Sequence, residues 1–227
     1  MLQTMLEPSG KTIRILGMAR NLGDMPPSLP GVEVWPSNSH RGYLNRLPRV
    51  VEAGEWTRWF NLHSRKHMQG NYLSSLMWHM TQDGSKPFYT QKFWPDIPGC
   101  IEFPRQFIQD YFATAKGPNR FFTFSGAWLM ALAILHNPVK IELWGFALSD
   151  KPNRQHECYK FERPCFTYWV KQAQDRGIEV TYQREIADLY ESGLLIPGDP
   201  SEYVNELYGY STSPEIGWNL QTEAFDF

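Results

Sequence analysis

The sequence predicts a single three-layer α/β domain, Rossmann-like, with a mainly parallel sheet and an irregular C-terminal tail. Two observations carry that expectation. Short β-branched runs alternate with helical stretches along most of the chain, the pattern of a parallel sheet covered by helices on both faces. One helical stretch, Ser125 to His136, is apolar nearly all round, so it is expected to lie buried against the sheet.

Thr12 to Leu16 (TIRIL) reads as a buried strand that stops at Gly17. Val32 to Trp35 (VEVW) reads as the second strand. Arg41 to Glu52 has helical spacing, with Leu44, Leu47 and Val51 on one face. Thr57 to Leu62 (TRWFNL) is the expected third strand and delivers His63 at its end. Asn71 to Thr81 is expected to be helical and Pro87 to Thr90 extended.

Gln91 to Pro104 reads as irregular, because Pro95, Pro98 and Pro104 punctuate it. A short helix over Arg105 to Phe112 is expected after the last of these prolines. Asn137-Pro138 ends the buried helix, and Val139 to Trp144 (VKIELW) is the next strand, ending at Gly145. Pro164 to Arg176 is amphipathic, with Phe166, Trp169, Val170 and Ala173 on one stripe. It leads through Gly177 into the strand Ile178 to Tyr182. The pattern then dissolves, which divides the chain into a domain over 1–190 and a wrapping or partner-binding tail over 191–227. That tail carries Asp199, Glu202, Glu206, Glu215, Glu223 and Asp226 among scattered aromatics.

Composition narrows the function classes. With 42% hydrophobic and 20% charged residues the 227-residue chain can bury a sizeable core. A net charge of -2 gives no basic field for non-specific nucleic-acid binding. Three cysteines without paired metal spacing, Cys100, Cys158 and Cys165, read as reduced thiols, so a cytoplasmic location is expected. The first residues lack a signal-peptide pattern, and the longest apolar run, Ala127 to Leu135, is too short for a bilayer. The aromatic load (nine Trp, eleven Tyr, fourteen Phe) suits core packing first and stacking on a base or sugar second.

Ligands of open parallel sheets bind at the carboxyl ends of the strands, so the residues after each strand are the candidates. Gly17 to Asn21 (GMARN) follows the first strand; Gly17 permits close backbone approach, and Arg20 and Asn21 offer groups for phosphate or sugar. The segment lacks the GxGxxG fingerprint, which disfavours NAD and FAD. Asn38 and Ser39 follow the second strand, where an amide reads a ribose hydroxyl or a base edge, or simply forms a turn. His63 has the pKa of a general base, or is a structural histidine. His63 and His67 are four apart but lack a third ligand, so no metal site is expected. Thr123, Ser125 and Gly126 open the buried helix, where free amides suit phosphate or ribose; an N-cap serine is the plain alternative. Gly145 ends the strand behind it. The charged loop Arg154 to Pro164 concentrates His156, Glu157, Tyr159, Glu162 and Arg163 and is expected at the rim of the cleft.

The pieces TIRILGMARN, EVWPSN, RWFNLH, KPFYTQ, TFSGAWLMALAILHNPVKIELWG and ECYKFERPCFTYWVKQAQDRGIEV, spanning Lys11 to Tyr182, resemble a group of phage proteins with a sialyltransferase-like Rossmann fold. The helix start Ser125-Gly126-Ala127-Trp128 followed by MALAI is similar to the S-G-x-Y-M-x-x-x-A-I segment of bacterial sialyltransferases that use CMP-sugars. The resemblance implies a nucleotide-sugar site at Gly17, Asn38, Ser125 and Gly126, with Tyr159 steadying the departing phosphate. Two segments depart from those enzymes: Gly17 to Asn21 stands where they read G-x-G-P-S, and Gly145-Phe146-Ala147 where they read G-[IV]-D.

These readings lead to a glycosyltransferase that moves a sugar from a nucleotide-sugar donor to a hydroxyl, either a modified base in phage DNA or a glycan. His63 or His156 would be the base, and Tyr159, Arg163 and Glu162 the remaining catalytic set. Chemistry without a metal or other cofactor is expected, because no D-x-D pair is present. Expected partners are the donor, the acceptor and a second copy of the chain, with no membrane. The alternatives are another nucleotide-processing enzyme, or a non-enzymatic nucleotide- or protein-binding factor that uses the acidic tail.

Overall fold

A computed structural model describes residues 10–17, 20–38, 40–71, 73–113, 122, 124–146 and 159–182, with residues 20, 21, 67, 70, 71 and 159–164 described in backbone only. Seven strands, all parallel to their neighbours, form the centre. They are β1 (Thr12–Leu16), β2 (Val32–Pro36), β3 (Trp59–Asn61), β4 (Phe88–Thr90), β5 (Cys100–Glu102), β6 (Lys140–Trp144) and β7 (Glu179–Tyr182).

The strands fall into a four-stranded group, β2-β1-β6-β7, and a three-stranded group, β3-β4-β5. A parallel bridge between Ser37 and Phe60 joins the two. The Asn38 N–H donates to the Phe60 carbonyl at 2.7 Å, and the Thr57 N–H to the Val34 carbonyl at 2.9 Å. The resulting order is β5-β4-β3-β2-β1-β6-β7. Successive strands run outward from β1 in one direction and then, from β6, in the other. The reversal between β1 and β6 is a topological switch point, where α/β sheets open a crevice at the carboxyl edge.

Alternation along each strand sorts the side chains into two cores. Ile13 and Ile15 of β1, Trp35, Phe60, Ile141 and Leu143 face one core, completed by α5 (Arg105–Tyr111), α6 (Ser125–Leu135) and α7 (Tyr159–Gln174). Leu16, Val34, Trp59 and Phe88 face the other. That second core is closed by α1 (His40–Arg46), α2 (Pro48–Glu52), α3 (Arg65–Asn71) and α4 (Leu73–Met80). Every residue of α6 is buried, as its unbroken apolar sequence requires. Its Trp128 stacks on Phe122 with centroids 3.7 Å apart. A large side chain buried this way contributes about 1.5–3 kcal/mol. Within the sheet Arg14 and Glu142, directly opposite across β1 and β6, form a shielded ion pair at 2.8 Å.

Four elements differ from the sequence expectation. The helix expected over Arg41 to Glu52 is two, because Pro48 lacks an N–H and begins α2 with Leu47 in a non-helical conformation. A helix over 65–71 precedes the one expected near Asn71. The segment read as irregular contains β5, a strand with only Cys100 buried and therefore no apolar alternation to read. Finally α7 begins at Tyr159, ahead of Pro164. Proline inside its second turn removes one helical hydrogen bond, which the packing of Phe166, Trp169 and Val170 in the core offsets. Residues 159–163 therefore belong to a helix, correcting their expected place in a loop. The whole tail, 191–227, lies outside the described residues, as does Cys158. Cys100 and Cys165 are buried and form no disulfide. Among the described residues no helix is long and apolar enough to cross a membrane.

Candidate functional site at the carboxyl edge of the sheet

At the switch point β1 and β6 end together, and glycine lets their ends touch. The Gly17 N–H donates to the Trp144 carbonyl at 2.7 Å. A Cβ on Gly17 would lie 2.4 Å from the Gly145 carbonyl oxygen and 3.2 Å from the Phe146 ring. Gly145 has φ +71°, the left-handed region that favours glycine, and a Cβ there would lie 2.8 Å from the Gly17 oxygen. The close approach at Gly17 is thus made by the turn after β6. The same Phe146 ring lies 2.9 Å from the Cβ position of Gly126, in the first turn of α6. Four expected residues, Gly17, Gly145, Ser125 and Gly126, are therefore brought together at one corner.

Ser125 is the first helical residue of α6, not its cap. The cap position belongs to Phe124, in extended backbone and with no capping side chain. The positive dipole end of this eleven-residue helix lies beside the corner that Gly17 and Gly145 form, with the Phe146 ring between them.

One strand over, the end of β2 is tied to β1 through the Leu16 carbonyl. That oxygen accepts from Ser37 Oγ at 3.0 Å and from the Tyr43 hydroxyl at 2.7 Å. Burial raises the Tyr43 phenol far above its usual value, so it stays a donor. Asn38 follows with φ 66°, a conformation asparagine tolerates better than most residues. Its carbonyl accepts from Trp59 Nε1 at 2.9 Å, while its side-chain Oδ1 is buried without a hydrogen-bond partner.

The same edge continues across β3. Asn61, 0% exposed, ends this strand with its Nδ2 unpartnered. Its Oδ1 accepts weakly from the His63 N–H at 3.4 Å. His40, at the start of α1, stacks flat on Trp78 at 5.1 Å and keeps an unpartnered Nδ1. Burial, then Arg41, lowers its pKa. Ser64, Thr90 and Gln91 are also buried here, and Gln91 Nε2 donates to the Leu62 carbonyl at 2.9 Å. Buried polar atoms without partners each cost about 1–3 kcal/mol, so a protein keeps few of them without a use. Asn38 Oδ1, His40 Nδ1 and Asn61 Nδ2 are three such atoms at this edge, able to donate or accept if a polar ligand reaches them.

His63 is 2% exposed, at the end of β3, two strands away from β1. Arg20 and Asn21 lie in a 3-10 turn after β1, and Tyr159, Glu162 and Arg163 in the first turns of α7; these five are described in backbone only. Ser39, Thr123 and His156 lie outside the described residues. Sequence reasoning passed over Asn61 and His40. An amide inside the apolar run WFNL was the available signal for the first, since a buried amide requires a partner. Among the described residues no three His, Cys, Asp or Glu side chains cluster as metal ligands.

The opposite, amino edge holds a groove of about 380 Å³ lined by Lys11, Glu33, Thr57 and Arg58. Its charges satisfy one another: Glu33 pairs with Lys11 at 3.0 Å and Arg58 at 2.9 Å. Burial raises the Glu33 carboxyl, but Arg58 and hydrogen bonds from Lys11 and Trp35 bring it down to about 2. This groove is a structural ion network. Beside it, burial and then Arg58 lower His136 to about 4. Between pH 6.5 and 4 the unfolded chain binds a proton that the folded chain refuses, so stability falls as pH drops through that window. The expected loss is on the order of 3 kcal/mol, in a group whose Nε2 has no partner. His40 and His79, also lowered by burial, act in the same direction. Urea unfolding at pH 7 and pH 4.5 should show the drop, and His136→Leu should reduce it; an unreduced drop in that variant would contradict the assignment.

No family model matches the chain, and no curated protein is similar to it. Among solved structures, the sialyltransferase CstII from Campylobacter jejuni in complex with CMP-3FNeuAc is similar at 13% identity over 76% of this chain and 79% of that one, with a TM-score of 0.44. The same enzyme with cytidine-5'-monophosphate gives 13% identity, the same coverage and a TM-score of 0.41. A sialyltransferase CST-II structure with trisaccharide acceptor and CMP gives 12% identity, 76% and 80% coverage and a TM-score of 0.44. At these values the likeness does not extend to residues or to a reaction.

Proposed function

We propose that the chain is a glycosyltransferase whose nucleotide-sugar donor lies along the carboxyl edge, from the start of α6 past Gly17 to Asn38 and Asn61. The observation that supports it is the set of buried, unpartnered polar atoms at that edge, Asn38 Oδ1, His40 Nδ1 and Asn61 Nδ2, beside the switch point. An acceptor, a donor and an imidazole nitrogen suit the hydroxyls and amides of a ribose, base or sugar. The positive dipole end of α6 suits a phosphate. The resemblance of SGAW and MALAI to enzymes that use CMP-sugars supports the same class of donor.

In the proposed reaction a base takes the proton of the acceptor hydroxyl, and that oxygen attacks the anomeric carbon. The bond from this carbon to the phosphate oxygen breaks, and the nucleotide leaves with the electron pair. Tyr159 and Arg163, at the start of α7, stabilise the charge that develops on the phosphate, with Glu162 beside them. His156 or His63 is the base, and the His63 N–H, which reaches Asn61 Oδ1, also positions that amide. Arg20, Asn21, Ser39 and Thr123 flank the donor, and the reaction proceeds without a metal. Net charge -2 favours a glycan hydroxyl over a hydroxylated base in phage DNA as acceptor.

The test is nucleotide release from CMP-, UDP-, GDP- and ADP-sugars, with glycan and hydroxymethylated-DNA acceptors, with and without magnesium. Release from one donor, indifferent to magnesium, is expected. His156→Ala should lower kcat by about 10²–10⁴ and Tyr159→Phe by about 10²–10³, with unchanged unfolding temperatures. Tight binding without release would make the chain a nucleotide-binding factor. Release only with magnesium would make it a different nucleotide-processing enzyme.

A further inference from the structure

The outer face of α4 is apolar where a surface helix is ordinarily polar. Leu73, Met77 and Met80, spaced i, i+4, i+7, form one stripe and are 50%, 57% and 44% exposed. Leu44 of α1, one turn beyond the His40 that stacks on Trp78 of α4, is 38% exposed on the helix packed against α4. Single exposed apolar residues are ordinary, but four on two packed helices form a patch.

The helices of the patch are themselves basic, although Asp96 pairs with Arg65 of α3 and Asp83 follows α4. Neither α1, α3 nor α4 contains an aspartate or glutamate. Arg41, Arg46 and Lys66 on the flanking helices are exposed. The chain itself carries a segment of opposite character. Residues 199–227 contain Asp199, Glu202, Glu206, Glu215, Glu223 and Asp226 and no lysine, arginine or histidine. Interleaved with those acids are aromatic and aliphatic residues, and Val204, Leu207 and Tyr208 have the i, i+3, i+4 spacing of one helical face.

The segment can reach the patch. The described chain ends at Tyr182 of β7, and α4 covers β3 and β4, its His79 stacking on Phe88 at 3.7 Å. From β7 to β4 is five strand spacings, ~24 Å. Sixteen residues, 183–198, span up to ~50 Å when extended.

We propose that residues 199–227 dock on the outer face of α4 of the same chain. Their apolar side chains cover Leu73, Met77, Met80 and Leu44, and their carboxylates face Arg41, Arg46 and Lys66. The contact is intramolecular, so it operates at the high effective concentration that a short connection gives.

Hydrogen–deuterium exchange on the full chain tests this. Met77→Glu with Met80→Glu changes only exposed side chains and sets like charge against the segment. Exchange across 199–227 is expected to speed at least tenfold in this variant, at an unchanged unfolding temperature. Glu202→Lys with Glu206→Lys, which leaves the folded domain untouched, is expected to raise exchange at α4 and in the segment together. Equal exchange in wild type and both variants would overturn the proposal. A two-chain mass by light scattering that falls to one chain in Met77→Glu/Met80→Glu would overturn it in favour of a second copy on the stripe.

Discussion

Gly17→Ala is expected to destabilise the protein by about 3 kcal/mol, at the upper end for overpacking, and to remove donor binding with it. The added methyl would sit 2.4 Å from the Gly145 carbonyl oxygen and 3.0 Å from its carbon, both backbone. Neither can rotate away, so the ends of β1 and β6 must separate and carry the start of α6 with them. At this chain length the loss corresponds to a fall in Tm of roughly 6–12 °C. Gly145→Ala should cost as much, because it adds a left-handed φ to the same contact. Gly126→Ala should cost less, since its nearest neighbours are the rings of Phe124 and Phe146, which can shift. Gly23→Ala serves as a control: its nearest contact is 3.7 Å away, and its effect should stay within about 0.5 kcal/mol. Calorimetric scans of the four variants check the ranking. Equal stability of Gly17→Ala and Gly23→Ala would show that β1 and β6 do not meet as described.

Asn61→Leu is expected to weaken donor binding at least tenfold while leaving stability unchanged or slightly raised. The two effects have one cause. Asn61 is fully enclosed, and its Nδ2 has no partner, so the folded protein carries a desolvation cost of about 1–3 kcal/mol at this atom. Leucine, with the same branched four-atom skeleton though a larger volume, removes that cost and gives up only the 3.4 Å contact with the His63 N–H. A hydrogen bond from Nδ2 to a sugar or phosphate oxygen would contribute about 1–3 kcal/mol to the complex, the higher figure for a charged oxygen. Stability without function is the signature of a residue kept for its ligand. Isothermal titration with the donor, paired with urea unfolding, separates the outcomes. A variant that binds normally but unfolds early would make Asn61 a structural amide.

Much of the scaffold was legible because burial leaves a direct trace in sequence. TIRIL, VEVW and KIELW are short β-branched or alternating runs, and the ladders β2-β1-β6 are built from them. SGAWLMALAIL has no polar face and is buried on every side. Elements stabilised by their neighbours left weaker traces. β5 has one buried residue in three and lies among prolines, so only its pairing with β4 makes it a strand. The start of α7 was hidden by Pro164, whose local preference the core contacts of the helix override.

The site divides in the same way. Positions after strands could be read, which is why Gly17, Asn38, Ser125 and Gly145 were singled out. Their mutual contact could not, because Gly17 and Gly145 are 128 residues apart and meet only when β6 pairs with β1. Asn61 was read as one more strand residue beside the more conspicuous His63. Its importance appears only when its hydrogen bonds are counted in three dimensions.

The proposed ligand site is the carboxyl edge at the switch between β1 and β6. Hydrogen–deuterium exchange of the full chain, with and without the nucleotide-sugar that raises its thermal stability most, tests it directly. Protection is expected at Gly17, across 37–40, at 61–64 and in the first turn of α6, with no change at Lys11, Glu33 or Arg58. Protection confined to the amino edge, or none at the start of α6 with a saturating ligand, would contradict it.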